Sequence, residues 1–188
     1  MIIHVNPLQE WLQPEGDLIK VAPMETISRV IEALDIKIIV KEVGQGMGKE
    51  SLKALLKLPI QAIEFAAHGG TNFAKLEMLR NENPCSAMFE KIAYVGHSAE
   101  DMVQMVNELK LEIPNDIKCH EIIISGGVKD FLDGYYLTEK CSLKAIYGQA
   151  SGFLKHAQDD YEQLSKYVNA QIEGLKISNA FLKLKSEA

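Results

Sequence analysis

An α/β fold built on a parallel sheet is what this sequence predicts, and three observations predict it. Five short runs rich in β-branched residues recur along the 188 residues, apolar residues at helical spacing fill the gaps, and Gly or polar residues follow each run. Strand, helix, strand, helix in that order requires crossovers between parallel neighbours, with helices packed against the sheet.

The strand candidates are MIIHVN (1–6), KIIVKEV (37–43), AIEFA (62–66), EIIIS (121–125) and KAIYG (144–148). After the first, Ile27, Val30, Ile31 and Leu34 follow the i, i+3, i+4, i+7 spacing of a helix face. Leu52, Leu55 and Leu56 mark a second helix, and Met102, Met105, Val106 and Leu109 a third. Ser98 and Asp101 ahead of that third helix resemble a capping box with a shortened acidic partner. From about Phe153 to Leu184, Tyr161, Leu164, Val168, Ile172 and Leu175 predict one or two amphipathic helices.

A doubly wound sheet and a β/α barrel both satisfy this alternation. Residues capable of chemistry follow nearly every strand: Gln9 and Glu10, Glu42 to Gly48, His68 to Asn72, and Gly126 with Gly127. That distribution suits the barrel, whose ligands sit at the C-terminal strand ends. A TIM-type (β/α)8 barrel typically takes about 250 residues and eight strands. Five candidates fall short of that, a mismatch the residues alone leave open, and one domain over residues 1–188 is expected.

Net charge is −6, with Lys and Arg scattered among the predicted helices, so nothing favours nucleic acid or an anionic membrane surface. No apolar run approaches the roughly 18 residues of a membrane helix, and no basic stretch precedes an apolar one at the start. A cytoplasmic protein is expected. Cys85, Cys119 and Cys141 are distant from one another and in no C-x-x-C arrangement, which predicts reduced thiols rather than disulfides or a zinc site.

Four clusters could carry chemistry. In MIIHVN, His4 and Asn6 share one face of the strand, and Ile3 and Val5 the other. If the second pair packs on helices, the first faces the interior, as a satisfied core pair or as part of a pocket. Gln9 can donate and accept, and Glu10 is a hard carboxylate suited to Mg2+, unless both belong to a solvated loop. In KIIVKEVGQGMG the inward set is either Lys37, Ile39, Lys41 and Val43 or Ile38, Val40 and Glu42. The first puts Lys41 at the catalytic end, where a fixed anion or an ion pair with Glu42 would satisfy it. AAHGGTNF (66–73) and IIISGGVKDF (122–131) each end a strand in Gly-Gly near a helix start, the second predicted to begin near Lys129. Such turns hold phosphate in barrels or serve as tight βα turns.

Taken in order, H-x-N-x-x-Q-E, V-K-E-V-G-x-G-M, G-G-T-N-F and I-x-S-G-G-V resemble the type 2 isopentenyl diphosphate isomerase family, from about Ile2 to the last helix. The resemblance implies an incomplete TIM-type barrel, strands four to eight of an FMN-dependent enzyme that interconverts isopentenyl and dimethylallyl diphosphate, using Mg2+ and a flavin kept reduced by NADPH. It implies that Gln9 contacts substrate near the proton-transfer site, that Glu10 binds the Mg2+ holding the diphosphate, and that His4 and Asn6 line the same pocket. Lys41 would lie by the flavin ring and Thr71 would touch FMN, while Gly126, Gly127, Lys129, Gln149 and Ala150 would cradle its phosphate. The family forms homo-oligomers, and its Arg after the Gly-Gly turn is Lys129 here.

The family's N-terminal Arg-Lys clamp, its Thr-Gly-Gly turn and its Ser-Gln-Arg segment have no counterpart in these residues. A truncated gene, a fragment or one piece of a split protein is the expectation, binding FMN poorly and not isomerising alone. Two rivals are another FMN-dependent barrel oxidoreductase, such as an α-hydroxy-acid oxidase relative, and a non-catalytic half-barrel binding flavin or phosphate.

Overall fold

Five strands, all parallel, form a single sheet in unbroken sequence order: β1 (Ile2–His4), β2 (Ile39–Lys41), β3 (Ala62–Glu64), β4 (Glu121–Ile124) and β5 (Lys144–Tyr147). The computed structural model describes residues 1–81 and 84–185, and the side chains of 84–87, Cys85 included, lie outside what is described. The order has no reversal point, the feature that defines a doubly wound sheet. It is compatible with an arc of a barrel.

Period-two alternation divides the sheet into two faces. Ile3 pairs with Val40, Val40 with Ile63, and Ile63 with Ile122, and this row lies against the helices. The covering helices are α3 (Lys49–Leu56), α5 (Ala99–Glu112) and α6 (Phe131–Lys140), which contribute Leu52, Leu55, Leu56, Met102, Val106, Leu109 and Leu137 to the core. Each large side chain buried there is worth about 1.5–3 kcal/mol of transfer free energy, so this layer dominates stability. Lys49 with Glu108 and Glu112, and Lys57 with Asp116, run ion pairs along the outside of α3 and α5. Exposed pairs of this kind add under about 1 kcal/mol each.

The other face carries His4, Lys41, Glu64, Ile123 and Ile146 in one register row. It is open: Ile2 at one edge is 63% exposed and Ile146 at the other 61%. No helix among the described residues is long and apolar enough to cross a membrane.

All five predicted strands are present, shorter than their apolar runs. Several helical expectations need correction. The stretch after β1 is a helix, α1 (Pro7–Leu12), because Pro7 presets its first turn and Asn6 caps it. In α2 (Pro23–Ala33) the face turns inward at Ile27, but the helix stops before Leu34, which is exposed. Between β3 and α5 lie a further helix, α4 (Phe73–Arg80), and a 3₁₀ segment, Pro84–Tyr94. The helix after the second Gly-Gly turn starts at Phe131, two residues later than expected, because Asp130 is its cap. The C-terminal stretch forms α7 (Ser151–Ala157) and α8 (Tyr161–Phe181). Its buried face is Gln171, Gly174 and Ser178, while Tyr161 and Ile172 from the predicted apolar stripe are exposed. Close approach decides this: Gly174 lies flat against the Phe131 ring, and a bulkier face would hold α8 away.

Candidate functional site

At the C-terminal ends of β2 to β5 the loops enclose a cavity of about 600 Å³. β2 contributes Lys41 and the loop residue Gly44, and β3 contributes Glu64, followed by Gly69, Gly70 and Thr71. From β4 come Ser125, Gly126, Gly127 and Lys129, and from β5 Gln149 and Ala150. The seven residues that the resemblance assigned to FMN thus share one wall-to-wall site.

Its floor is held by local chemistry. Ser125 Oγ donates to Glu64 Oε1 at 3.0 Å and accepts the N–H of Ala66 at 3.0 Å. Ala66 is the one non-glycine at positive φ among the described residues, at +40°, a strained conformation that the Ser125 bond helps to hold. Gly126 sits at φ +92°, and a Cβ there would enter the backbone of Ala67, so only glycine lets the two turns stack. The N–H groups of Gly126 and Gly127 have no acceptor among the described residues.

The start of α6 is less available to an anion than its position suggests. Asp130 Oδ1 accepts the N–H of Leu132 at 2.8 Å and of Asp133 at 3.1 Å, and Asp133 Oδ2 accepts that of Lys129 at 3.0 Å. Two carboxylates already answer that helix dipole. An anion in the cavity would meet Gly126, Gly127 and the side chain of Lys129 instead.

Two groups await a partner. Lys41 Nζ donates to the carbonyl of Glu42 at 2.7 Å, and no carboxylate among the described residues lies within ion-pair distance. Of the alternatives open for Lys41, the ion pair with Glu42 does not form, since that carboxylate is taken up by the N–H groups of Gly44, Gln45 and Gly46. Gln149 Nε2 donates to the Lys129 carbonyl and, at 2.7 Å, to Tyr167 Oη, while its Oε1 is buried without a hydrogen-bond partner. Gln149 lines the cavity, but this oxygen itself is closed off from solvent.

The residues assigned to substrate and metal stand apart from this cavity. His4 Nε2 is 3.2 Å from Glu10 Oε1, and Gln9, buried on α1, donates to Gln13 Oε1 at 3.0 Å. Asn6 lines a second, largely apolar cavity of about 570 Å³ with Ile27, Met47 and Leu55. No group of three or more His, Cys, Asp or Glu able to hold a metal occurs among the described residues. Glu10, the residue the resemblance assigned to Mg2+, has His4 as its side-chain contact.

From sequence, Glu42 and Gln45 have no role of their own, though both lie inside the candidate stretch Glu42 to Gly48, and Glu64 is not singled out. Glu42 is buried at 4% exposure and accepts the N–H groups of Gly44 and Gln45, both at 2.6 Å. The signal was present in the spacing, since a carboxylate ending the helix-facing set Ile38, Val40, Glu42 just before G-x-G meets a turn rich in free N–H groups. Gln45 and Glu64 are legible only after folding.

Cys119 and Cys141 are free and buried. Burial pushes the Cys119 thiol up to about 11.

No family model matches the chain. Curated relatives named isopentenyl-diphosphate delta-isomerase do match: that of Rickettsia africae (strain ESF-5) is 33% identical over 180 residues, 95% of this chain and 50% of the relative. The protein of that name from Rickettsia conorii (strain ATCC VR-613 / Malish 7) is also 33% identical, and that from Rickettsia bellii (strain RML369-C) 31%, over the same extents. The chain spans about half the length of the curated relatives it matches.

Proposed function

We propose that this chain, as one domain over residues 1–188, supplies strands four to eight of a TIM-type barrel and belongs to the type 2 isopentenyl-diphosphate isomerases. The homologues' names support the isomerase, and one observation carries the finer reading. Lys41, Thr71, Gly126, Gly127, Lys129 and Gln149 line a single cavity at successive strand ends.

FMN fits that cavity by chemistry. Gly126 and Gly127 offer N–H groups, and Lys129 a cation, for a phosphate. Lys41 brings a second cation without an ion pair. When bound and kept reduced by NADPH, FMN supplies the acid and base for an allylic proton shift. The chain's residues bind and orient: Lys41 favours negative charge near the ring, and Ser125 fixes Glu64 on the opposite strand. Mg2+ commonly takes one or two carboxylates with water and substrate phosphate oxygens, so Glu10 can serve it only together with a diphosphate. Gln9 before Glu10 would contact the substrate near the proton-transfer site by the resemblance, and in this chain it is buried and donates to Gln13 Oε1.

The open face and the free edges of β1 and β5 support the further reading that barrel closure needs three more strands from additional polypeptide. Parallel edges and apolar inner surface left uncovered are a liability in water. The chain by itself binds FMN weakly and does not isomerise isopentenyl diphosphate.

Titration of the purified chain with FMN, followed by quenching of flavin fluorescence, tests this reading. Weak, saturable binding that inorganic phosphate displaces and Gly126→Ala abolishes is the expected result. No saturable binding at any concentration removes the flavin reading. Mg2+ dependence of turnover in a completed barrel separates the isomerase from an FMN-dependent oxidoreductase, which needs no metal.

A further inference from the structure

Glu42 stands between the two parts of the candidate site. Its Oε2 accepts the N–H groups of Gly44 and Gln45 at 2.6 Å and of Gly46 at 2.9 Å, and its Oε1 accepts Asn6 Nδ2. Asn6 Nδ2 also donates to Gln45 Oε1 at 3.1 Å, and Asn6 Oδ1 accepts the N–H of Gln9 at 2.8 Å, capping α1. From the same residue, the Glu42 carbonyl holds Lys41 Nζ. Gly44 in turn lies against the Thr71 carbonyl, with no room for a Cβ.

A buried carboxylate is costly unless hydrogen bonds satisfy it, and here four donors do so. Charge-assisted bonds of this kind are about twice as strong as neutral ones. The Glu42 side chain therefore bonds Gly44 at the cavity wall directly and, through Asn6, the start of α1 at Gln9, while its main-chain carbonyl holds Lys41. We infer that Glu42 is a positioning residue that fixes the cavity wall and the start of α1 relative to each other. The inference rests on the proposed function only for what each group binds; the coupling itself is a property of the chain without ligand.

A glutamine at this position has one acceptor oxygen and two donors, so it must present N–H either to Asn6 or to the three backbone N–H groups. The test is amide hydrogen exchange with 15N-resolved signals on the intact chain, comparing the unsubstituted protein with Glu42→Gln and Asn6→Ala. Glu42→Gln is expected to speed exchange at Gly44, Gln45 and Gly46 about tenfold or more, and to speed it at Gln9 as well. Val40 and Ile63 in the strands keep their protection, which separates lost positioning from general loosening. Asn6→Ala is expected to shift the Gly44 to Gly46 signals from the α1 side, and it carries the test if Glu42→Gln does not fold. An effect confined to the substituted residue's own side in either variant overturns the coupling. A chain that fails to bind FMN but shows the coupled exchange sinks the proposed function and leaves Glu42 in place.

Discussion

Lys41 and Glu64 stand opposite each other in register on adjacent parallel strands, and both side chains line the same cavity. Opposite charges on that wall act in opposite directions on an anionic ligand. Lys41→Met is expected to weaken FMN and inorganic phosphate binding about tenfold, the scale of one charged hydrogen bond, with little change in the urea midpoint. Glu64→Gln keeps an acceptor for Ser125 and removes a negative charge, so phosphate binding is expected to tighten a few-fold, about 1 kcal/mol or less. Fluorescence titration of both variants checks the pair of signs.

Gly126→Ala places a Cβ into the Ala67 backbone at a φ of +92°. The substitution is expected to cost about 2 kcal/mol or more in chemical denaturation, and to remove FMN binding with it. Gly48→Ala, whose Cβ would meet only His97 Nε2 at 3.6 Å and which lies outside this cavity, serves as the contrast for binding.

Ser98 and Asp101 form the capping box of α5: Ser98 Oγ donates to Asp101 Oδ2 at 2.7 Å and accepts the Asp101 N–H at 3.1 Å. The Ser98 hydroxyl and backbone N–H hold the Asp101 carboxyl below the usual carboxylate range. A depressed carboxyl stabilises the fold above its unfolded value, about pH 4, and that contribution is lost as pH falls through the native value. Ser98→Ala is expected to cost about 1 kcal/mol at neutral pH and to flatten the acid limb of the stability curve. Denaturant midpoints measured from pH 7 down to pH 3 test both.

Cys119 should resist alkylation. With its thiol pushed up to about 11 by burial, only about a thousandth is thiolate at pH 8, against roughly a quarter for an unfolded cysteine. Mass mapping after iodoacetamide is expected to show Cys119 unmodified in the native chain and labelled in urea. Labelling at similar rates in both conditions would contradict the buried placement of β4's entry.

The strands were legible because β-branched runs ended by glycine admit little else, and Ile3, Val40, Ile63 and Ile122 alternate as the pleat requires. The Gly-Gly turns were legible for the same local reason. What pattern could not supply was tertiary: α8 buries Gln171, Gly174 and Ser178 because Phe131 demands a flat neighbour, and Tyr161 and Ile172 are left outside. Strand periodicity left two inward sets open for β2, and the fold decides between them by burying Ile38, Val40 and Glu42 and leaving Lys41 at the cavity. The carboxylate of Glu42 could be given four partners only once Asn6 and the Gly44 to Gly46 loop had come together.

The most direct test of the account is turnover of isopentenyl diphosphate, with FMN, Mg2+ and NADPH, by the purified chain alone and after co-expression with the remaining half of the Rickettsia africae relative. No dimethylallyl diphosphate from the chain alone, and product when the missing strands are supplied, is the predicted result. Turnover by the chain alone, or none after a folded, FMN-loaded complex has formed, would contradict it.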